Sequence, residues 1–125
     1  VSFVDFAITL PMSYTNLGIV YNEQGRYDDA EKFYLKSIKI LPYGDFAYSC
    51  LGKNYLDQAK YDKAEEALLK AIEFGGGSIA VHINIGNLYY ERDNDIQRRL
   101  KHYQKAAQLG AENVQKWLKD NGHSW

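Results

Sequence analysis

Three histidines and one cysteine are the side chains of this sequence best suited to metal binding or nucleophilic chemistry. His82, His102 and His123 lie far apart along the chain, and no cysteine or carboxylate stands at metal-ligand spacing from them. Cys50 has no neighbouring residue that would activate its thiol. The sequence also contains no phosphate-binding loop and no nucleophile elbow. We therefore predict no catalytic residue, no metal site and no cofactor.

The charge balance narrows the classes of partner. Lysine and arginine total 15, against 16 for aspartate and glutamate, whereas a nucleic-acid binder concentrates positive charge. No apolar run approaches the roughly 20 residues that span a bilayer. The composition thus argues against nucleic-acid and membrane partners. One basic run is either a solvated face or a contact for an acidic partner, and its members are Arg98, Arg99, Lys101, His102 and Lys105.

Length and composition indicate one globular domain over residues 1–125. A chain of 125 residues with 46% hydrophobic and 25% charged side chains is expected to fold around a core. The lone cysteine cannot form an intrachain disulfide, so the composition does not require an oxidising compartment.

Residues of matching type recur at an interval of 34 along the chain. Gly18, Gly52 and Gly86 keep this spacing, and so do three further sets: Tyr14, Tyr48 and His82; Leu17, Leu51 and Ile85; Tyr21, Tyr55 and Tyr89. Further on, the interval from the second unit to the third becomes 35, which indicates a one-residue insertion in a turn at residues 92–96. An interval of this length is typical of stacked helical hairpins.

At these residues the sequence resembles the tetratricopeptide repeat family. The resemblance divides the chain into repeats at residues 11–44, 45–78 and 79–110. In the third repeat Arg99 replaces the family's alanine, and residues 100–110 are similar to the related Sel-like repeats. The resemblance implies an all-α fold, an α-α superhelix (right-handed solenoid) of three helix-turn-helix units plus a C-terminal capping helix.

The local patterns predict the same helices. Glycine inside a helix costs roughly 0.5–1 kcal/mol against alanine, so three glycines in register imply close helix contact. We predict helices at about 12–24, 28–40, 46–58, 62–74, 80–92 and 96–109, and a capping helix within 111–122. Phe3, Phe6, Ala7 and Leu10 predict a short helix that ends before Pro11. This segment either covers the first repeat or is the remnant of a preceding one.

The resemblance also implies a binding surface. In the family, the first helices of the hairpins line a concave groove that receives a peptide or a helix. Transferred by position, the groove candidates are Met12, Thr15, Ile19, Asn22, Phe46, Ser49, Lys53, Leu56, Ala80, Ile83, Asn87 and Tyr90. The apolar members either line an exposed interaction surface or pack against the neighbouring repeat.

These features predict a scaffold or adaptor without enzymatic activity that binds a protein or peptide partner. Thr15 and Ile19 stand where one subfamily has the lysine and asparagine that clamp a chaperone's C-terminal carboxylate, so an apolar or mixed helical ligand is the better prediction. Two alternatives stay open. In the first, the chain is a self-associating module that forms a homo-oligomer; in the second, it is a regulatory subunit of an enzyme complex.

Overall fold

A computed structural model describes the backbone of residues 3–125 and the side chains from Leu10 onward. This part of the chain contains seven α-helices and no strand. The helices are α1 (Phe3–Glu23), α2 (Tyr27–Ile40), α3 (Asp45–Asp57), α4 (Tyr61–Glu73), α5 (Ile79–Asp93), α6 (Ile96–Gln108) and α7 (Glu112–Asp120). All except α1 begin and end within two residues of the predicted bounds. No helix of the described part is long and apolar enough to cross a membrane.

Consecutive helices pair as antiparallel hairpins, α1 with α2, α3 with α4 and α5 with α6, and α7 packs against α6. The chain forms two compact units, Val1–Gly76 and Gly77–Trp125. The first unit holds two hairpins, and the second unit holds the third hairpin and α7. The repeat boundaries and the single-domain assignment given above stay predictions.

The three repeated glycines lie where the two helices of a hairpin approach each other. A methyl group built on any of them would meet a side chain of the second helix at a distance that real Cβ atoms do not show. The facing atoms are Tyr34 Cε1 at 2.5 Å from Gly18, Leu68 Cγ at 2.5 Å from Gly52 and Tyr103 Cδ1 at 2.9 Å from Gly86. The predicted close contact is therefore present in all three hairpins. The third hairpin keeps this close contact although Arg99 replaces the family's alanine in its second helix.

Helix α1 continues through Pro11, so the prediction that a helix would end before this residue is wrong. A proline removes one backbone donor and disturbs the turn that precedes it, but the helix can resume beyond. Here the hydroxyl of Ser37 in α2 donates to the Pro11 carbonyl over 2.8 Å, which fixes this part of α1 against α2. The side chains of Phe3, Phe6 and Ala7, which would form the predicted cover, lie outside the described residues.

Helix α7 covers the end of the second unit. Val114 and Leu118 are buried, as the predicted capping role requires, and they join a cluster with Tyr103, Ala106 and Ala107 of α6. Trp117 lies with its ring edge-on to Tyr103, with ring centroids 5.2 Å apart. The burial of these residues closes the apolar face that α6 would otherwise expose.

Candidate protein-interaction surfaces

The exposed side of α1 and α3 carries most of the predicted groove residues of the first unit. We call this surface the α1/α3 face, and its members are Met12, Ile19, Asn22, Phe46, Ser49, Lys53 and Leu56. Met12 and Phe46 are 53% and 49% exposed, which is high for such large apolar side chains. Ile19 and Leu56 are partly buried. The face therefore offers two protruding apolar side chains beside a half-buried apolar surface.

Thr15 is a groove candidate that does not reach the surface. Its side chain is 2% exposed, and its hydroxyl donates to Ser37 Oγ over 2.8 Å. Because Ser37 in turn donates to the Pro11 carbonyl, the two hydroxyls form a buried polar link between α1 and α2. Thr15 is thus a structural residue of the first hairpin and does not belong to the α1/α3 face.

A polar network ties the two first helices of this unit together. Asn22 Nδ2 donates to Asp57 Oδ2 over 3.0 Å, and the Lys53 ammonium forms an ion pair with the other oxygen of Asp57. Asn54 is fully buried and donates to Asn22 Oδ1 at 2.8 Å and to the Tyr27 carbonyl at 2.9 Å. Asn22 and Lys53, two of the predicted polar members of the face, therefore already have internal partners. The sequence pattern did not single out Asn54, since a buried asparagine resembles any polar helix residue.

In the second unit, four predicted groove residues lie along α5. Ala80 is exposed, Ile83 and Asn87 are partly buried, and Tyr90 is 40% exposed. The Tyr103 hydroxyl donates to Asn87 Oδ1, so this amide too is engaged within its own hairpin. Tyr90 is the most exposed large apolar side chain on this helix. We call these four residues the α5 face.

Arg99 leaves the predicted basic run and folds into an aromatic cluster next to the α5 face. Its guanidinium carbon lies 4.2 Å from the ring centroid of Tyr90, 5.0 Å from that of Tyr103 and 5.2 Å from that of Trp117. Arg99 Nη2 donates to the Tyr103 hydroxyl over 3.3 Å. Its buried Nε has no hydrogen-bond partner in the described part of the chain. Cation–π contacts with three rings hold Tyr90 and α6 together.

His82 and His102 come together across the third hairpin, although their separation in sequence gave no reason to join them. Their Nδ1 atoms are 3.2 Å apart and their rings are stacked, with centroids 5.5 Å apart. Burial lowers the pKa of both; for His102 it falls to about 4, with His82, Lys105 and Lys101 lowering it further. Both imidazoles are then neutral at pH 7, and one ring nitrogen donates to the other. His82 is therefore a residue of the hairpin interface.

No group of three or more metal-binding side chains occurs among the residues described, so the histidine pair has no third ligand there. Cys50 is partly buried, and burial raises the pKa of its thiol to about 12. A thiol with this pKa is protonated at neutral pH and is a poor nucleophile. These groups contribute to helix packing.

Comparison with known proteins identifies the fold. Models of the tetratricopeptide repeat match residues 11–43 and 47–74. The first TPR of Spaghetti (RPAP3), solved bound to the HSP90 peptide SRMEEVD, is 19% identical with a TM-score of 0.79, over 90% of both chains. The Arabidopsis OM64 TPR domain is 16% identical with a TM-score of 0.78, over 92% of this chain and 98% of that one. No match was found among curated proteins.

The chain is a tetratricopeptide repeat protein, and its predicted all-α, α-α superhelical fold class is confirmed. At these identities the structural likeness shows the fold alone. Members of this repeat class are protein-interaction modules and are generally not enzymes. The Sel-like character of residues 100–110 stays a prediction.

Proposed function

We propose that this chain is a scaffold without enzymatic activity that binds a peptide or helical segment of another polypeptide at the groove positions of its first helices. The observation that carries the proposal is the pair Met12 and Phe46. They stand one repeat interval apart at the same position of α1 and α3, and both are about half exposed. Large apolar side chains presented in register are typical of a surface that is covered by a partner.

The surroundings of these residues favour an apolar or amphipathic segment. On the same face Ile19 and Leu56 are partly buried, and the Lys53–Asp57 ion pair adds polar groups at the end of α3. This is the pattern of an apolar centre with a polar rim, which suits one face of a helix. The first TPR of Spaghetti holds an HSP90 peptide, which supports a polypeptide ligand as a class. A carboxylate clamp is not part of the proposal, because Thr15 is buried.

The proposed absence of catalysis is supported by the state of the potentially reactive groups. The pKa of the Cys50 thiol is raised by burial, and the stacked imidazoles of His82 and His102 face each other instead of solvent. A nucleophile and a base would have to lie within hydrogen-bond reach of each other and of a substrate. These groups serve packing instead.

Binding to selected peptides tests the proposal. We would select ligands for the wild-type chain from a displayed library of random peptides and measure their Kd. Met12→Ala and Phe46→Ala should each weaken binding at least about tenfold, or about 1.4 kcal/mol. Leu69→Ala on α4 and Leu109→Ala after α6 remove equally exposed leucines, 47% and 53%, away from the first helices. They should leave Kd unchanged. Equal affinity for all five proteins would refute the groove assignment.

Sedimentation velocity separates this function from self-association. We expect a monomer at every concentration, because the ligand is a different polypeptide. A dimer that dissociates on dilution and is abolished by Phe46→Ala would assign the α1/α3 face to a second copy of the chain instead.

A further inference from the structure

The first and third hairpins each place an aromatic ring between two rings of their first helix. In the first hairpin, Phe33 stacks on Tyr21 with centroids 5.3 Å apart and an interplanar angle of 4°, and on Tyr14 at 6.1 Å. In the third hairpin, His102 occupies the same register position. It stacks on His82 at 5.5 Å and lies against Tyr89 at 5.8 Å. In both hairpins, a ring at this position of the second helix therefore packs between two rings of the first helix.

The second hairpin has the two outer rings but lacks the inner one. Tyr48 and Tyr55 are the equivalents of the first-helix rings, whereas the residue between them in register is Ala67. Ala67 is 4% exposed, so α4 still packs against α3 there. What is missing is the ring between Tyr48 and Tyr55; Phe74 contacts Tyr48 with ring centroids 5.5 Å apart, but it does not line the space beside Ala67.

A hollow of about 280 Å³ occupies the position of the missing ring. Tyr48, Tyr55 and Ala67 line it, and Leu51 together with Leu35 and Ile38 of α2 completes its apolar wall. It opens to solvent and lies entirely within the first unit. A cavity of about 150 Å³ with apolar walls accommodates benzene, so this hollow is large enough for a phenyl or phenol ring.

The charged residues that line the hollow all belong to α4 and are Lys63, Glu66 and Lys70. The ammonium of Lys70 lies 5.5 Å from the Tyr48 ring, and that of Lys63 lies 5.7 Å from the Tyr55 ring. Glu66 is the one acidic residue of the lining and stands 3.8 Å from Lys70. Within the lining two ammonium groups accompany one carboxylate, which favours a ligand with a carboxylate near its ring; the Glu31 carboxylate, which accepts from the Tyr55 hydroxyl over 2.8 Å, is not part of the lining.

We propose that this hollow binds an aromatic side chain of a partner polypeptide, whose ring takes the place that Phe33 and His102 fill in the other hairpins. The ring stacks against Tyr55 and Tyr48, and an acidic neighbour of the aromatic residue pairs with Lys63 or Lys70. The site is separate from the α1/α3 face, and the proposal does not depend on the function proposed above.

A variant that fills the hollow with the protein's own ring provides the sharpest test. Ala67→Phe reproduces in the second hairpin the arrangement of Phe33 in the first. We would titrate wild-type protein with N-acetyl-phenylalanine amide, follow the aromatic NMR signals of Tyr48 and Tyr55, and expect a Kd on the order of 1 mM. Ala67→Phe should weaken binding at least about tenfold. Leu69→Phe adds a ring to the exposed side of α4 and should not change it.

The reverse change keeps the proposal testable if Ala67→Phe fails to fold. Phe33→Ala empties the equivalent place in the first hairpin, so the probe should bind at two sites and also shift the signals of Tyr14 and Tyr21. N-acetyl-leucine amide should bind at least about tenfold more weakly than the phenylalanine probe. Absence of saturable shifts in the wild type, or equal binding of both probes, would overturn the proposal.

A peptide selection establishes the source of the ring. Displayed peptides that bind the wild type but not Ala67→Phe should share an aromatic residue beside an acidic one. Replacing that aromatic residue by leucine should weaken binding at least about tenfold, while Phe46→Ala in the protein should have no effect on these peptides. If only the small probe binds and no such peptide emerges, the hollow does not serve a polypeptide. Failure here would leave the result for the α1/α3 face untouched.

Discussion

The ring of Tyr34 covers Gly18 so closely that a methyl group on this glycine would lie 2.5 Å from Tyr34 Cε1. Tyr34 itself is 2% exposed and cannot swing into solvent without opening the hairpin. The separation of α1 and α2 is therefore set by the absence of one side chain. The same relationship recurs at Gly52 and Gly86, which is why the interval of 34 residues is visible in the sequence.

Replacing Gly18 by leucine should destabilise the first hairpin. Overpacking a well-packed site costs about 1–3 kcal/mol of the free energy of unfolding, because the buried Tyr34 ring must move. Urea unfolding followed by circular dichroism measures the loss. Asn16→Leu, on the exposed side of the same helix, is the matched control and should change stability by less than about 0.5 kcal/mol. Equal stability of Gly18→Leu and the wild type would disprove the close contact.

The turn of the second hairpin should be improved by a glycine. Gly25 in the first turn has a φ of +76°, and Ala59, at the equivalent place, has a φ of +56°. A left-handed conformation costs an L-residue roughly 1–2 kcal/mol, and glycine avoids this cost. Part of the gain is offset, because glycine loses more conformational entropy on folding than alanine. We expect Ala59→Gly to raise the free energy of unfolding by about 0.5–1 kcal/mol. Gly25→Ala should lower it. A loss of stability in Ala59→Gly would contradict the turn geometry.

Asn54 should be the polar residue on which the first unit depends most. Its side chain is fully buried and donates to the Asn22 amide oxygen and the Tyr27 carbonyl. Asn54→Ala removes the donor of the Asn22 amide oxygen and one donor of the Tyr27 carbonyl, which costs about 1–3 kcal/mol. Thermal unfolding of this variant, compared with Asn16→Ala at an exposed position, measures the effect. A difference below about 0.5 kcal/mol between the two would show that the network contributes little.

Acid should destabilise the third hairpin through its histidine pair. The pKa of His102 falls from an ordinary 6.5 to about 4 in the folded chain, so the unfolded chain binds more protons once the pH drops below 6.5. Its contribution to stability is therefore complete above that pH and is lost progressively as the pH falls toward 4. His102→Phe, which copies the Phe33 arrangement, should reduce the decrease in Tm between about pH 7 and about pH 4.5. An unchanged pH profile would rule out this origin.

The helices were predictable because their signals are local and repeated. Glycine within a helix is unfavourable unless a partner helix needs the space, so Gly18, Gly52 and Gly86 in register already implied paired helices. Pro11 led to a wrong boundary, because proline was taken to end a helix, whereas its missing N–H and its ring disturb only the preceding turn and α1 continues beyond it.

The surfaces were less predictable, because exposure depends on neighbours that the pattern does not name. Thr15 occupies a groove position in the sequence, but its hydroxyl donates to Ser37 inside the hairpin and its side chain is buried there. The histidine pair did carry a signal: His102 stands in register with Phe33, and His82 with Tyr14. Comparing second-helix positions between repeats would have found this contact, and also the gap at Ala67.

The Met12 methyl group reports directly on peptide binding at the α1/α3 face, because Met12 is the only methionine of the chain and protrudes from this face. Labelling its methyl group with carbon-13 gives a single NMR signal that reports on this surface. When a selected peptide is added, we expect the signal to shift in proportion to the bound fraction and to show contacts to apolar peptide protons. Saturating binding that leaves the Met12 methyl signal unchanged would contradict it.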